Sequence, residues 1–158
     1  MSSKFLAALA LTALTSVAAA GPMQAFAPGT MQQIVDGQKG KPFVLVLWSL
    51  DCEFCLTSLD VLSKEMRHRK NLNVVTVSTD PVNDPETAPA MNKRLARLGL
   101  DKNNWAFGDL PPERLRYVID RSWHGEMPRS YWFNAKGERV AYSGAITPAV
   151  IDKFLGRQ

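Results

Sequence analysis

The run Phe43-Val44-Leu45-Val46-Leu47-Trp48, followed at once by Ser49-Leu50-Asp51-Cys52-Glu53-Phe54-Cys55, decides how the rest of the chain is read. Six consecutive apolar residues suit a strand buried on both faces, as in a sheet with helices on each side. Beyond the cysteines the period changes. Cys55, Leu59, Leu62 and Met66 recur at spacings of four, three and four, which is one face of a helix running to about Lys70. Arg67, Arg69 and Lys70 crowd its end, where cations favour the negative pole of the helix.

A C-x-x-C placed directly after a buried strand and at the mouth of a helix is a redox arrangement. Unpaired backbone N–H groups and the helix dipole favour negative charge there, so a thiolate has a lowered pKa and is the better nucleophile at neutral pH. Cys52 is the candidate attacking sulfur and Cys55, one turn inward, the candidate resolving sulfur. As a structural staple the pair is poor, because so short a loop constrains little of the unfolded chain. A zinc site competes weakly. Zinc wants four ligands, and only His68 and His124 are available besides the two cysteines.

Outward from this centre the chain alternates. Thr30 to Gln38 reads as a short helix, with Thr30 and Gln33 spaced as a capping box. Gly21 to Gly29 before it reads as a loose arm. Val74 to Ser78 is a second buried strand. Met91, Leu95 and Leu98 give a helical face closed by Gly99, and Trp105 to Phe107 a short strand. Pro111-Pro112 opens a helix to about Arg121, with Leu115, Val118 and Ile119 inward. Ser130 to Phe133 and Glu138 to Ser143 form a hairpin around Asn134-Ala135-Lys136-Gly137. Thr147-Pro148 caps and opens a last helix to about Leu155. Alternation followed by a closing hairpin predicts an α/β fold whose sheet is parallel at first and antiparallel at one edge.

The first twenty residues stand apart. Lys4 precedes an uncharged stretch from Phe5 to Ala20 that ends in Ala18-Ala19-Ala20. This is the pattern of a signal peptide over 1–20, cut near Ala20-Gly21. The competing reading is an uncut anchor, for which the apolar stretch is short. No cysteine lies there to carry a lipid. Residues 21–158 then form one domain, outside the cytoplasm in the periplasm or secreted, where disulfides persist. A charged fraction of 22% and a hydrophobic fraction of 46% exclude a disordered chain. A net charge of +4 is too small to imply nucleic acid as a partner.

From Pro28 to about Gly156 the chain resembles the thioredoxin superfamily, and within it the TlpA/ResA-like periplasmic thiol–disulfide oxidoreductases. Besides the C-x-x-C, the resemblance is carried by Trp48 on the approach to the site and by Met127-Pro128 just before a strand. It implies a thioredoxin-like fold, a central mixed sheet flanked by helices. The stretch from Cys52 to Pro128 is longer than thioredoxin needs, so a central βα insertion is expected, supplied by Met91–Gly99 and Trp105–Phe107. The resemblance also implies a cis-proline at Pro128 facing the cysteines, with the Met127 backbone free to pair with a substrate chain. Met127, Pro128, Trp48 and Phe54 are the candidate substrate-binding residues. Implied partners are protein thiols or disulfides and a membrane-bound or periplasmic thiol reductant, with cytochrome c maturation or metal-site assembly as destinations. No cofactor and no resident metal are expected.

The chain also departs from that family. Asp51 stands where many relatives have a second tryptophan, and Glu53-Phe54 where proline is common at the second place. Val46 replaces a buried aspartate, and Ser58 an active-site glutamate. Asp51 as N-cap would take N–H donors from a thiolate, and Glu53 adds like charge. Both would favour a reductant over a strong oxidant. A rival function is a Sco-like copper chaperone. Ser78 to Pro85 is similar to that class, and Cys52, Cys55, His124 and Met127 offer soft ligands suited to Cu(I). Arg67-His68-Arg69-Lys70 is a solvated helix end or a basic docking patch. Trp123 and Trp132 either rim the site or belong to the core.

Overall fold

The computed structural model describes residues 23–156. Along the chain these form β1 (Gln24–Phe26), α1 (Thr30–Gly37), β2 (Phe43–Trp48), α2 (Glu53–Met66), β3 (Val74–Pro81) and α3 (Thr87–Leu98). Then follow β4 (Asn104–Phe107), α4 (Pro112–Ile119), β5 (Arg129–Phe133), β6 (Arg139–Ser143) and α5 (Pro148–Leu155). The proposed signal segment lies outside the described residues, as does its cleavage point.

The six strands make one sheet in the order β1-β4-β3-β2-β5-β6. β1, β4, β3 and β2 run parallel, while β5 is antiparallel to β2 and β6 to β5. The expected mixed sheet is therefore present. The added unit is α3 with β4, and β4 lies between β1 and β3.

Helices cover both faces, which is why every residue of β2 is buried. Val44, Val46 and Trp48 face one core with Cys55, Leu59 and Leu62 of α2, Met91 and Leu95 of α3, and Ile151 and Phe154 of α5. Phe43, Leu45 and Leu47 face the other with Ile34 of α1 and Leu115 and Ile119 of α4. The two-residue period of a strand assigns the alternate side chains to the two cores. It also settles β5. Trp132 stacks on Phe154 in the first core with ring centroids 4.8 Å apart, and Phe133 on Phe43 in the second at 4.3 Å.

Several local expectations are corrected. Part of the supposed loose arm is β1, whose three residues pair with β4 at the sheet edge. Three residues with no alternation carry too little pattern to reveal a strand. Thr30 does not cap α1. Gly29 holds the cap position at φ 92°, and the Thr30 hydroxyl accepts the Ala27 N–H at 3.0 Å. α2 ends at Met66, and the basic residues after it form a turn. β3 continues to Pro81, pairing with Phe107 beyond a register shift.

Candidate active site

The parallel strands point their carboxyl ends at one pole of the sheet, and the cysteines sit there, between β2 and α2. Trp48 closes β2 and is fully buried, with no hydrogen-bond partner for its indole N–H among the described residues. It supports the site from beneath. The expectation that Trp48 touches substrate is corrected, since no part of it reaches the surface.

The end of β3 holds the following loop in place. The Asp80 carboxylate accepts the Leu50 N–H at 2.8 Å and the Ser78 hydroxyl at 3.1 Å. The Thr79 hydroxyl reaches the Trp48 carbonyl at 3.4 Å. Asp80 lies beyond the strand expected over Val74 to Ser78 and is not among the candidate residues read from the sequence. Its position at the end of a buried strand, beside the strand that leads into the cysteines, was the available signal.

Cys52 and Cys55 are joined, with an S–S distance of 2.04 Å. Cys52 itself is the N-cap of α2, and its sulfur accepts the Cys55 N–H at 3.2 Å. The expected Asp51 cap is therefore corrected, because the sulfur already occupies the place a capping oxygen would take. Cys55 is fully buried, whereas Cys52 is half-buried beside exposed Asp51, Glu53 and Phe54. Phe54 is 65% exposed, a large apolar side chain left in water two residues from Cys52.

The two positions where the resemblance leads one to expect acids hold neutral groups. Val46 is fully buried and apolar. The buried Ser58 hydroxyl donates to the Phe54 carbonyl at 2.7 Å and accepts the Ile146 N–H at 2.9 Å. Ser58 thus pins the first turns of α2 to the segment leading into α5.

The antiparallel register pairs Leu47 with Arg129, which sets Pro128 level with Trp48 at the same pole as the cysteines. The Met127–Pro128 peptide is cis. Met127 is half-buried against both cores. The Pro128 carbonyl accepts the Gly144 N–H at 2.9 Å, while the Met127 backbone has no hydrogen bond among the described residues.

A polar cluster surrounds this peptide. Arg129 donates to Asp120 at 3.0 Å, Glu126 at 3.0 Å, the Ser143 hydroxyl at 2.7 Å and the Tyr131 hydroxyl at 3.2 Å. Tyr131 in turn donates to Asp120 at 3.0 Å. Burial works against the Asp120 charge, but hydrogen bonds from Ser122, Tyr131 and Arg129 outweigh it and hold the carboxyl well below the usual carboxylate range. Burial pushes the Tyr131 phenol up to about 12. Glu126 is lowered despite its own burial cost, by its own backbone N–H, the Ser143 hydroxyl and the Arg129 charge. Sequence reasoning missed Arg129. A charged residue opening an otherwise buried strand was the clue.

Other candidates separate from the site. His124 is exposed, and its backbone N–H donates to Glu126 at 3.2 Å. Among the described residues no three of His, Cys, Asp or Glu are grouped to hold a metal. The copper ligand set with His124 is therefore not assembled. Trp123 is buried in the second core and donates to the Glu126 carbonyl at 2.9 Å. Arg69 pairs with Glu65 and with Asp152 of α5, so it joins two helices.

No protein-family model and no curated protein matches the chain. Solved structures do. A secreted disulfide oxidoreductase from Mycobacterium tuberculosis, described as homologous to Escherichia coli DsbE, superposes with a TM-score of 0.57 at 18% identity, over 78% of this chain and 86% of that one. A thioredoxin-related protein from Neisseria meningitidis serogroup B gives 0.59 at 15% identity, over 74% and 84%. The exposed lipoprotein thioredoxin of Streptococcus pneumoniae gives 0.52 at 23% identity, over 78% and 90%. The chain has the thioredoxin-like fold.

Proposed function

We propose that this protein is a thiol–disulfide oxidoreductase that works outside the cytoplasm and reduces disulfides in partner proteins. The observation that carries the reading is the Cys52–Cys55 disulfide at the N-terminus of α2, with Cys52 half-buried and Cys55 fully buried. In the reduced form the Cys52 thiolate attacks a substrate disulfide. A mixed disulfide forms and the first substrate thiolate leaves. The Cys55 thiolate then attacks Cys52, the second substrate thiolate leaves, and the pair ends oxidised by two electrons. A thiol reductant of the cell envelope, membrane-bound or periplasmic, returns those electrons. Cytochrome c maturation or metal-site assembly supplies the substrates.

The free backbone of Met127 and the exposed ring of Phe54 offer the incoming chain its contacts. The apolar stretch before residue 21 supports export, as does the secreted M. tuberculosis neighbour. No helix among the described residues is long and apolar enough to cross a membrane. A Cys55→Ser variant tests the reading. It should hold a dithiothreitol-sensitive mixed disulfide through Cys52 with insulin or an envelope protein, and the Cys52→Ser, Cys55→Ser double variant should hold none. Absence of both the adduct and any insulin reduction by the wild type would remove the proposal.

A further inference from the structure

Resting on that reading, we infer that Arg129 is a positioning residue for polypeptide substrates. Its guanidinium presets the Met127–Pro128 loop as a docking edge without occupying it. The ion pair from Arg129 to Glu126 closes at 3.0 Å directly across those two residues. On the near side, the Glu126 carbonyl takes the Trp123 indole N–H, and its carboxylate takes the His124 N–H and the Ser143 hydroxyl. On the far side, the Pro128 carbonyl takes the Gly144 N–H. Arg129 also reaches Asp120 beyond α4 and Ser143 at the end of β6. The loop is thus tied to the end of α4 and to the end of β6, yet the backbone of Met127 itself is left unpaired among the described residues.

The chemistry follows from that division. A polypeptide that pairs with the Met127 backbone meets an edge already ordered, and the ordering cost of binding is reduced in advance. A small disulfide needs only the Cys52 sulfur and gains nothing from the edge. The two arms also differ in exposure. The Asp120 side chain is 15% exposed and that of Glu126 47%. The Asp120 arm therefore anchors Arg129, and the Glu126 arm holds the loop.

The test compares insulin with 5,5′-dithiobis(2-nitrobenzoic acid) as substrates of wild type, Glu126→Gln and Arg129→Lys. For insulin, KM should rise about fivefold to tenfold, with kcat changed by less than about twofold. The rate with the small disulfide and the Cys52 thiol pKa should move by less than about twofold and about 0.2 unit, since neither depends on the edge. If Arg129→Lys fails to fold, Glu126→Gln decides alone, because it removes the charge of the half-exposed arm and leaves the Asp120 anchor in place. An unchanged KM, or equal losses on both substrates, would overturn the inference. A wild type active on the small disulfide but inert to insulin would overturn it and leave the dithiol chemistry standing. A wild type inert to both would remove the oxidoreductase reading along with it.

Discussion

The Asp80 carboxylate accepts the Leu50 N–H at 2.8 Å, so the end of β3 fixes the loop that carries Cys52. A hydrogen bond to a charged group is worth about 1.5–3 kcal/mol, and partial exposure of Asp80 lowers that. Asp80→Ala should therefore cost about 1–2 kcal/mol in urea unfolding of the oxidised protein. An unchanged midpoint would mean the loop is held by other contacts.

Asp51 and Glu53 are exposed acids on either side of Cys52, and Glu53 is the one inside the first turn of α2. Its charge opposes a thiolate, while the Cys55 N–H favours one. Glu53→Gln should lower the Cys52 thiol pKa and make the couple more oxidising. Thiolate absorbance against pH, together with equilibration in glutathione, reads both. A rise in pKa would reverse the assignment.

Asp120 gives an acid-side signature. Its folded pKa is depressed, so its contribution is complete above the unfolded carboxylate value of about 4 and is lost as pH falls below that toward the folded value. The stability gap between wild type and Asp120→Asn should be constant from pH 7 to 5 and shrink below pH 4. Denaturant midpoints at pH 7, 5 and 3 measure it, and a gap that widens in acid would contradict the sign.

Ser58 satisfies the Ile146 N–H inside the protein. Ser58→Ala leaves that buried donor unpaired at a cost of about 1–3 kcal/mol. Hydrogen exchange should locate the loosening at Ile146 and the start of α5. Exchange that rises uniformly, or not at all, would show that the bond does not hold this junction.

The sequence reveals those parts of the fold whose signal is local. The apolar run 43–48, the helical spacing of Cys55, Leu59 and Leu62, and Thr147-Pro148 each declare an element from their own residues, and the structure has all three. β1 exists only because β4 lies beside it. Asp51 and Thr30 both satisfy the composition rule for a cap, yet a sulfur and a glycine hold those places. Their selection depends on where the backbone turns, which a residue type does not encode. The Arg129 cluster gathers residues from 120 to 143 around one guanidinium, and Asp80 meets Leu50 across two strands. Such partnerships become visible only after the sheet has set its register.

The direction of β1 has an outward consequence. Because it runs parallel to β4, β3 and β2, Met23 joins the sheet at the pole away from Cys52. Near the other end of the described residues, Leu155 lies beside Lys41, Pro42 and Lys70, at the starts of the strands. A resin or a lipid sheet held against Met23 or Leu155 would grip the domain by its foot and leave the sulfurs facing open solution.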